Sequence, residues 1–296
     1  MLDNEFFIYG GLRPTVKIQY YSTASNVFFG GVLRTLKEKT FGSWNIEITE
    51  VKGKDTPATE GFDFYIFEHT VPKVLPKDGI IFLVNPDSSA DAGFSIVRRN
   101  VQVNDYDGDG ASLAIGDGEH PLVRYMDVEG IKVTQYSQVD EASLERYDVL
   151  MYYEGNPVFF ARNEADSKIA VMTFSLNMST LALSVYYPIL IYNMFNYYLP
   201  STLTEDLCDV YDTIEVNARG SDLIVTAPDG TELLFGEFPA KLYVESFGTY
   251  TLRQQLISGE IVEEKFYAKV AASQSDITRE DVLSVPFAAN GAQKII

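Results

Sequence analysis

The chain has 296 residues, 46% of them hydrophobic and 22% charged, a length that suggests about two domains and a composition that excludes wholesale disorder. Against 23 basic residues stand 42 acidic ones, a net charge of -19, so non-specific binding to nucleic acid or to anionic lipid is excluded as a function. Cys208 is the single cysteine, which excludes an intrachain disulfide, and its neighbours Glu205, Asp206 and Asp209 disfavour a reactive thiolate. Two histidines are too few for a multi-histidine metal site. The opening Met1-Leu2-Asp3-Asn4-Glu5 is acidic where a signal peptide would be basic, so no leader is expected there.

The first 85 residues alternate strand and helix patterns. Val16 to Tyr21 is rich in β formers, and a polar turn leads to Asn26, a helix cap for NVFFGGVLRTLKEK, whose apolar residues fall on one helical stripe. Asn45 to Val51 alternates as a half-buried strand. Phe62 to Phe67 and Gly79 to Val84 are short apolar runs between turn residues, as expected of buried parallel strands. The prolines of VPKVLPKD leave little room for a helix between them. This order predicts an open, mostly parallel α/β sheet.

Residues 86–120 lose periodicity and read as a long loop with a strand near Ile96. Short β runs then recur from Pro121 to Ser175, with Gly155-Asn156-Pro157 marking a tight turn. Leu176 to Leu199 is the most apolar stretch. Asn177, Ser179, Thr180, Ser184, Asn193 and Asn196 interrupt it and Pro188 marks a helix start, so it predicts a buried helix of about 12 residues from Tyr187 and no membrane span. Beyond residue 200 the acidic excess becomes denser: 26 acidic against 16 basic residues in 1–200, and 16 against 7 in 201–296. Alternating runs separated by turns about every ten residues predict a small antiparallel β-sandwich there, and the last twenty residues an exit tail.

Asp105-Tyr106-Asp107-Gly108-Asp109-Gly110 repeats the first half of a calcium loop, in which hard oxygens gather around a sharp turn. The twelfth position is Gly116 instead of a bidentate glutamate, and Asp117 falls one residue late. The segment reads either as a solvated acidic loop or as a Ca²⁺ site built from Asp105, Asp107 and Asp109, with Asp117 as a late partner. His120-Pro121 follows it directly. Glu68-His69 lies at the carboxyl end of a predicted strand, where open α/β sheets place ligand crevices. Glu68, His69 and His120 are therefore the crevice candidates. No G-x-S-x-G, Walker A or G-x-G-x-x-G sequence occurs in its required context, so no catalytic nucleophile and no nucleotide site is read from motifs. The paired tyrosines at 20–21, 152–153, 186–187 and 197–198 read as core and strand-face residues or, in the alternative, as an aromatic surface for sugars or protein partners.

Several segments together carry a resemblance. The opening LDNEFF, VKIQYYSTASNVFFGGVLRTL, FDFYIFEHTVPKVLP with GIIFLVNP, EHPLVRYMDVEGIKV, SKIAVMTFSLNMSTLALSVYYPILIYNMFNYYL and the terminal TAPDG, FGTYTL and SQSDIT resemble the region after the von Willebrand factor A domain in bacterial membrane-anchored aerotolerance-type proteins. The resemblance implies a class I glutamine-amidotransferase-like (flavodoxin-like) α/β domain over residues 1–200, an immunoglobulin-like β-sandwich over 205–275 and a tail over 276–296. It also implies an extracytoplasmic place at the cell surface within a larger membrane-anchored protein. True class I amidotransferases use a Cys–His–Glu triad, and this chain has no cysteine before Cys208. Two expectations of function follow. One is a non-catalytic binding or scaffolding unit that takes a protein partner or cell-envelope component, with no cofactor besides the candidate Ca²⁺. The other is a hydrolase or carbohydrate-acting enzyme with a carboxylate and histidine crevice at the strand ends.

Overall fold

The computed structural model describes residues 15–23, 27–39, 45–53, 55–89, 91–103, 112–164, 167–199, 202–203, 207–218, 220–256 and 261–270. In chain order the elements are β1 (Thr15–Ser22), α1 (Val27–Lys39), β2 (Asn45–Lys52), β3 (Phe64–Glu68), β4 (Ile80–Val84), β5 (Ile96–Gln102), β6 (Leu113–Ile115), β7 (Gln135–Val139), β8 (Asp148–Tyr153), β9 (Asn156–Glu164), β10 (Ser167–Met172) and α2 (Tyr186–Tyr198). There follow β11 (Leu207–Asp209), β12 (Thr213–Val216), β13 (Gly220–Thr226), β14 (Glu232–Leu234), β15 (Ala240–Tyr243), β16 (Gly248–Leu256) and β17 (Ile261–Lys269).

An eight-stranded sheet runs in the order β2-β1-β3-β4-β10-β9-β8-β6. The neighbours from β2 to β10 pair in parallel, and β9, β8 and β6 continue the sheet with antiparallel pairings. The sheet is thus mixed, with five parallel strands on one side and a meander on the other. Local chemistry explains the difference. Glu154 and Gly155, both at positive φ, form the two-residue turn that closes the β8–β9 hairpin, and two-residue turns can join only antiparallel strands.

All five residues of β3 and all five of β4 are buried, because the sheet is covered on both faces. Alternation along the strands sends Phe64, Ile66, Phe82 and Met172 to one face, where Phe29 and Leu33 of α1 and Leu190, Met194 and Phe195 of α2 meet them. Phe195 stacks on Phe64 with ring centroids 5.3 Å apart. Tyr65, Phe67, Leu83 and Val171 point to the other face, under Phe94, Val139, Leu144 and Tyr147. Between β3 and β4, Gly79 (φ 66) turns where a Cβ would lie 2.4 Å from the Phe62 carbonyl oxygen, so no other residue fits.

The apolar stretch before residue 199 forms two short 3₁₀ turns and then α2, which has 13 residues with Pro188 in its first turn. Among the described residues no helix is long and apolar enough to cross a membrane. From Leu203 onward a third core is shared by a five-stranded sheet, β11-β17-β16-β13-β14, and the pair β12–β15. These pairings are antiparallel except β11 with β17, which is parallel.

Candidate functional site

The connection from β1 through α1 places β2 on one side of β1, whereas β3 pairs on its other side. The reversal puts a switch point at the carboxyl end of β1, the kind of position at which open α/β sheets bind ligands. Ser22 ends β1 and Glu68 ends β3, in register with each other. Glu68 is 0% exposed. Its Oε2 accepts hydrogen bonds from the Tyr20 hydroxyl at 2.6 Å and the Ser22 hydroxyl at 3.1 Å. A buried carboxyl must be supplied with donors, and two of them come from β1.

His69 follows directly, with φ 63, while its backbone N–H donates to the Val84 carbonyl at 2.9 Å. A non-glycine residue at positive φ immediately after a central parallel strand forms a sharp elbow that turns its side chain out of the sheet. The His69 Nε2 lies 3.7 Å from Glu68 Oε1, and its Nδ1 lies 3.1 Å from the side-chain nitrogen of Asn85. Asn85 occupies the matching place after β4, also at positive φ (44), with its N–H donating to the Met172 carbonyl at 2.7 Å. With the Asn85 amide donating to Nδ1, the ring proton sits on Nε2 and faces Glu68.

Tyr187, at the start of α2, has a fully buried hydroxyl with no hydrogen-bond partner among the described residues. Burial, reinforced by the Glu68 charge and by Tyr20, raises its pKa well above the ordinary phenol value. Burial and the same carboxylate raise that of Tyr20 as well. Both phenols therefore stay protonated, and Tyr20 donates to Glu68. Beside this cluster a crevice of about 440 Å³ opens over the ends of β1 and β2, lined by Tyr20, Ser22, Thr23, Arg34, Glu50 and Lys52.

His120 lies elsewhere. Its Nε2 is 3.9 Å from Asp148 Oδ2, at the start of β8, and β8 is four strands from β3. Four strand spacings amount to about 19 Å, so the structure brings Glu68 and His69 together and leaves His120 apart. The Leu122 N–H donates to His120 Nδ1 at 3.2 Å, and the ring packs on Tyr197. Burial lowers the His120 pKa below 6.5, against the opposing pull of Asp148 and Asp117. Its role there is to terminate a loop turn. Asp105, Asp107 and Asp109 lie outside the described residues. Asp117 is described, and its carboxylate caps the Glu119 N–H. Among the described residues no group of three acidic, histidine or cysteine side chains is arranged to hold a metal ion. Cys208 is buried in the third core.

The arrangement can orient a histidine with a carboxyl and an amide, but the Ser22 hydroxyl donates its hydrogen bond to Glu68. Sequence reading missed Tyr20, Ser22, Asn85 and Tyr187. The signal for Asn85 was present, since Asn85-Pro86 ends a predicted strand as His69 does; the pairs 20–21 and 186–187 stand out as aromatic, but nothing local ties Tyr20 and Tyr187 to Glu68.

No protein-family model and no curated protein matches the sequence. Solved structures similar to the chain include a cytoplasmic protein of Salmonella typhimurium, 10% identical, covering 62% of this chain and 98% of its own, with a TM-score of 0.46. A Thermoplasma acidophilum protein described as part of a GMP synthase is also 10% identical, covers 62% of this chain and 96% of its own, and has a TM-score of 0.38. A ThuA-like protein of Bacteroides uniformis is 11% identical, covers 65% and 95%, and has a TM-score of 0.42.

Proposed function

We propose that this chain is a non-catalytic binding or scaffolding region built on a class I glutamine-amidotransferase-like sheet that has lost its nucleophile. One observation carries the non-catalytic reading. The elbow after β3 holds His69 in place of a cysteine or serine, and the adjoining Glu68 carboxyl is wholly buried and occupied by Tyr20 and Ser22. The five parallel strands with their reversal at β1 support the amidotransferase-like reading. The sequence resemblance supports the rest of the proposal: residues 1–200 as one domain, 205–275 as an immunoglobulin-like sandwich and 276–296 as a tail. It likewise supports an extracytoplasmic, membrane-anchored parent of the von Willebrand factor A, aerotolerance type. The partner is a protein or cell-envelope component docking over the carboxyl ends of β1 and β2, where Arg34 gives a largely acidic chain a cationic contact beside the Lys52–Glu50 ion pair.

A second reading rests on the 3.7 Å approach of His69 to Glu68, with Asn85 steering the ring: a hydrolase acting on esters or carbohydrates in which His69 moves a proton. Purified protein incubated with glutamine, simple esters and acetylated sugars separates the two. No turnover above buffer is expected. Turnover abolished by His69→Ala establishes the hydrolase, and glutamine hydrolysis abolished by Cys208→Ser restores an amidotransferase.

A further inference from the structure

At the opposite end of the parallel strands, where β4 and β10 begin, lies a cavity of about 570 Å³. Leu75, Pro76, Ile81 and Ile169 give it apolar walls, and Arg162 and Ser167 line it from the β9–β10 hairpin. Its size is that of a small-molecule site.

Arg162 is only 7% exposed. A guanidinium has five N–H donors, and this one makes a single hydrogen bond to the described residues, from Nη2 to Ser167 Oγ at 2.6 Å. Its Nε is buried with no hydrogen-bond partner among them. The nearest carboxylate, Glu164, is 3.9 Å from Nε and is shared with Arg146. The Tyr147 ring lies 5.0 Å from the guanidinium carbon and covers it on one side. Such a group, removed from water and underused, is matched by an anion with two acceptor oxygens. Of the other charged groups lining the cavity, Asp78 is already committed: its Oδ1 accepts from the Tyr65 hydroxyl at 2.6 Å and its Oδ2 from the Gly61 N–H at 2.7 Å. Lys77 and Asp91 stand exposed at the rim, and Lys168 lines the wall, where burial lowers its pKa.

We propose that this cavity binds a monocarboxylate with a short aliphatic body, the carboxylate on Arg162 and Ser167 and the body against Leu75, Ile81 and Ile169. The charges select a monoanion. Among the lining residues Arg162, Lys77 and Lys168 stand against Asp78 and Asp91, and the neighbouring Arg146–Glu164 ion pair adds no net charge, so one positive charge is in excess and a single carboxylate neutralises it. A phosphate dianion would overshoot that balance inside a chain that already carries -19. A free acid and the end of a peptide chain both present such a carboxylate, and the same chemistry recognises either.

Calorimetric titration of the full chain with hexanoate, hexanamide, N-acetyl-leucine and inorganic phosphate tests this. Hexanoate or N-acetyl-leucine is expected to bind and to raise the melting temperature dose-dependently, the tighter of the two naming the source. Hexanamide and phosphate are expected to do neither. Arg162→Gln should weaken binding about tenfold or more. Ser167→Asp, at a partly exposed hairpin position, keeps the protein folded and places a resident carboxylate beside Arg162, so it should abolish carboxylate binding without lowering the melting temperature. Failure of both carboxylates to bind the wild type overturns the proposal, as does equal binding by wild type and Ser167→Asp. None of these outcomes bears on turnover at His69.

Discussion

Tyr20→Phe isolates the hydrogen bond on which the buried Glu68 carboxyl depends. The substitution keeps the ring, and with it the stack on Phe29 at 5.3 Å and 17°, and deletes only the hydroxyl. Tyr20 is 6% exposed and Glu68 is 0% exposed, so water does not readily replace the lost donor. Leaving a buried acceptor short of a partner costs about 1–3 kcal/mol. The 2.6 Å bond is shorter than the one from Ser22, which places Tyr20→Phe toward the upper part of that range and Ser22→Ala, at 3.1 Å, toward the lower. In a domain of this size each kcal/mol moves the melting temperature by about 2–4 °C. Urea unfolding followed by circular dichroism is the assay, with the slope unchanged and the midpoint lowered. Because both hydroxyls meet one oxygen, the double variant should depart from the sum of the single effects. A Tyr20→Phe protein within about 0.5 kcal/mol of wild type, the range of an ordinary surface change, refutes the dependence of Glu68 on β1.

The elbow predicts that His69→Val, β-branched at φ 63, costs about 1–3 kcal/mol, while His69→Gly stays nearer wild type because it relieves the backbone as it loses the Asn85 contact; thermal melts of both compare them. His120 is held neutral by burial, so its contribution to stability is present above its ordinary pKa of 6.5 and is lost as pH falls through its lowered folded value. Melting temperatures measured from pH 7.5 down to 5 should fall, and His120→Gln should flatten that fall. Limited proteolysis should cut between α2 and β11, over residues 200–206, and release two folded pieces, since the strands of the third core begin with β11; a single resistant chain with one melt contradicts it. For the acidic loop, millimolar Ca²⁺ should raise the melting temperature slightly and Asp107→Asn should remove the effect, with an unchanged curve in about 10⁻² M Ca²⁺ returning it to a solvated turn.

Periodicity and turn chemistry made much of this protein legible in its sequence. The apolar runs FDFYIF and GIIFLV read as buried strands and hold β3 and β4, Pro188 fixed the start of the buried helix to within two residues, and the regular turns after residue 200 announced strands sharing a core. Glu68-His69 was legible as a strand-end pair for the same reason. These are properties of neighbours along the chain. The tertiary structure alone decided that β10 pairs with β4 and so joins the β8–β9 hairpin to the parallel strands, because pairing across that sequence distance depends on which edge a returning segment meets. It also decided the company Glu68 keeps: Tyr20, 48 residues away in sequence, donates to the carboxyl, and Tyr187, more than a hundred away, feels its charge, because β1, β3 and α2 converge there. His120, by contrast, is separated from Glu68 by four strands although sequence chemistry grouped them. A side chain's type is local, but the burial and partners that give it a role are set by contacts across the fold.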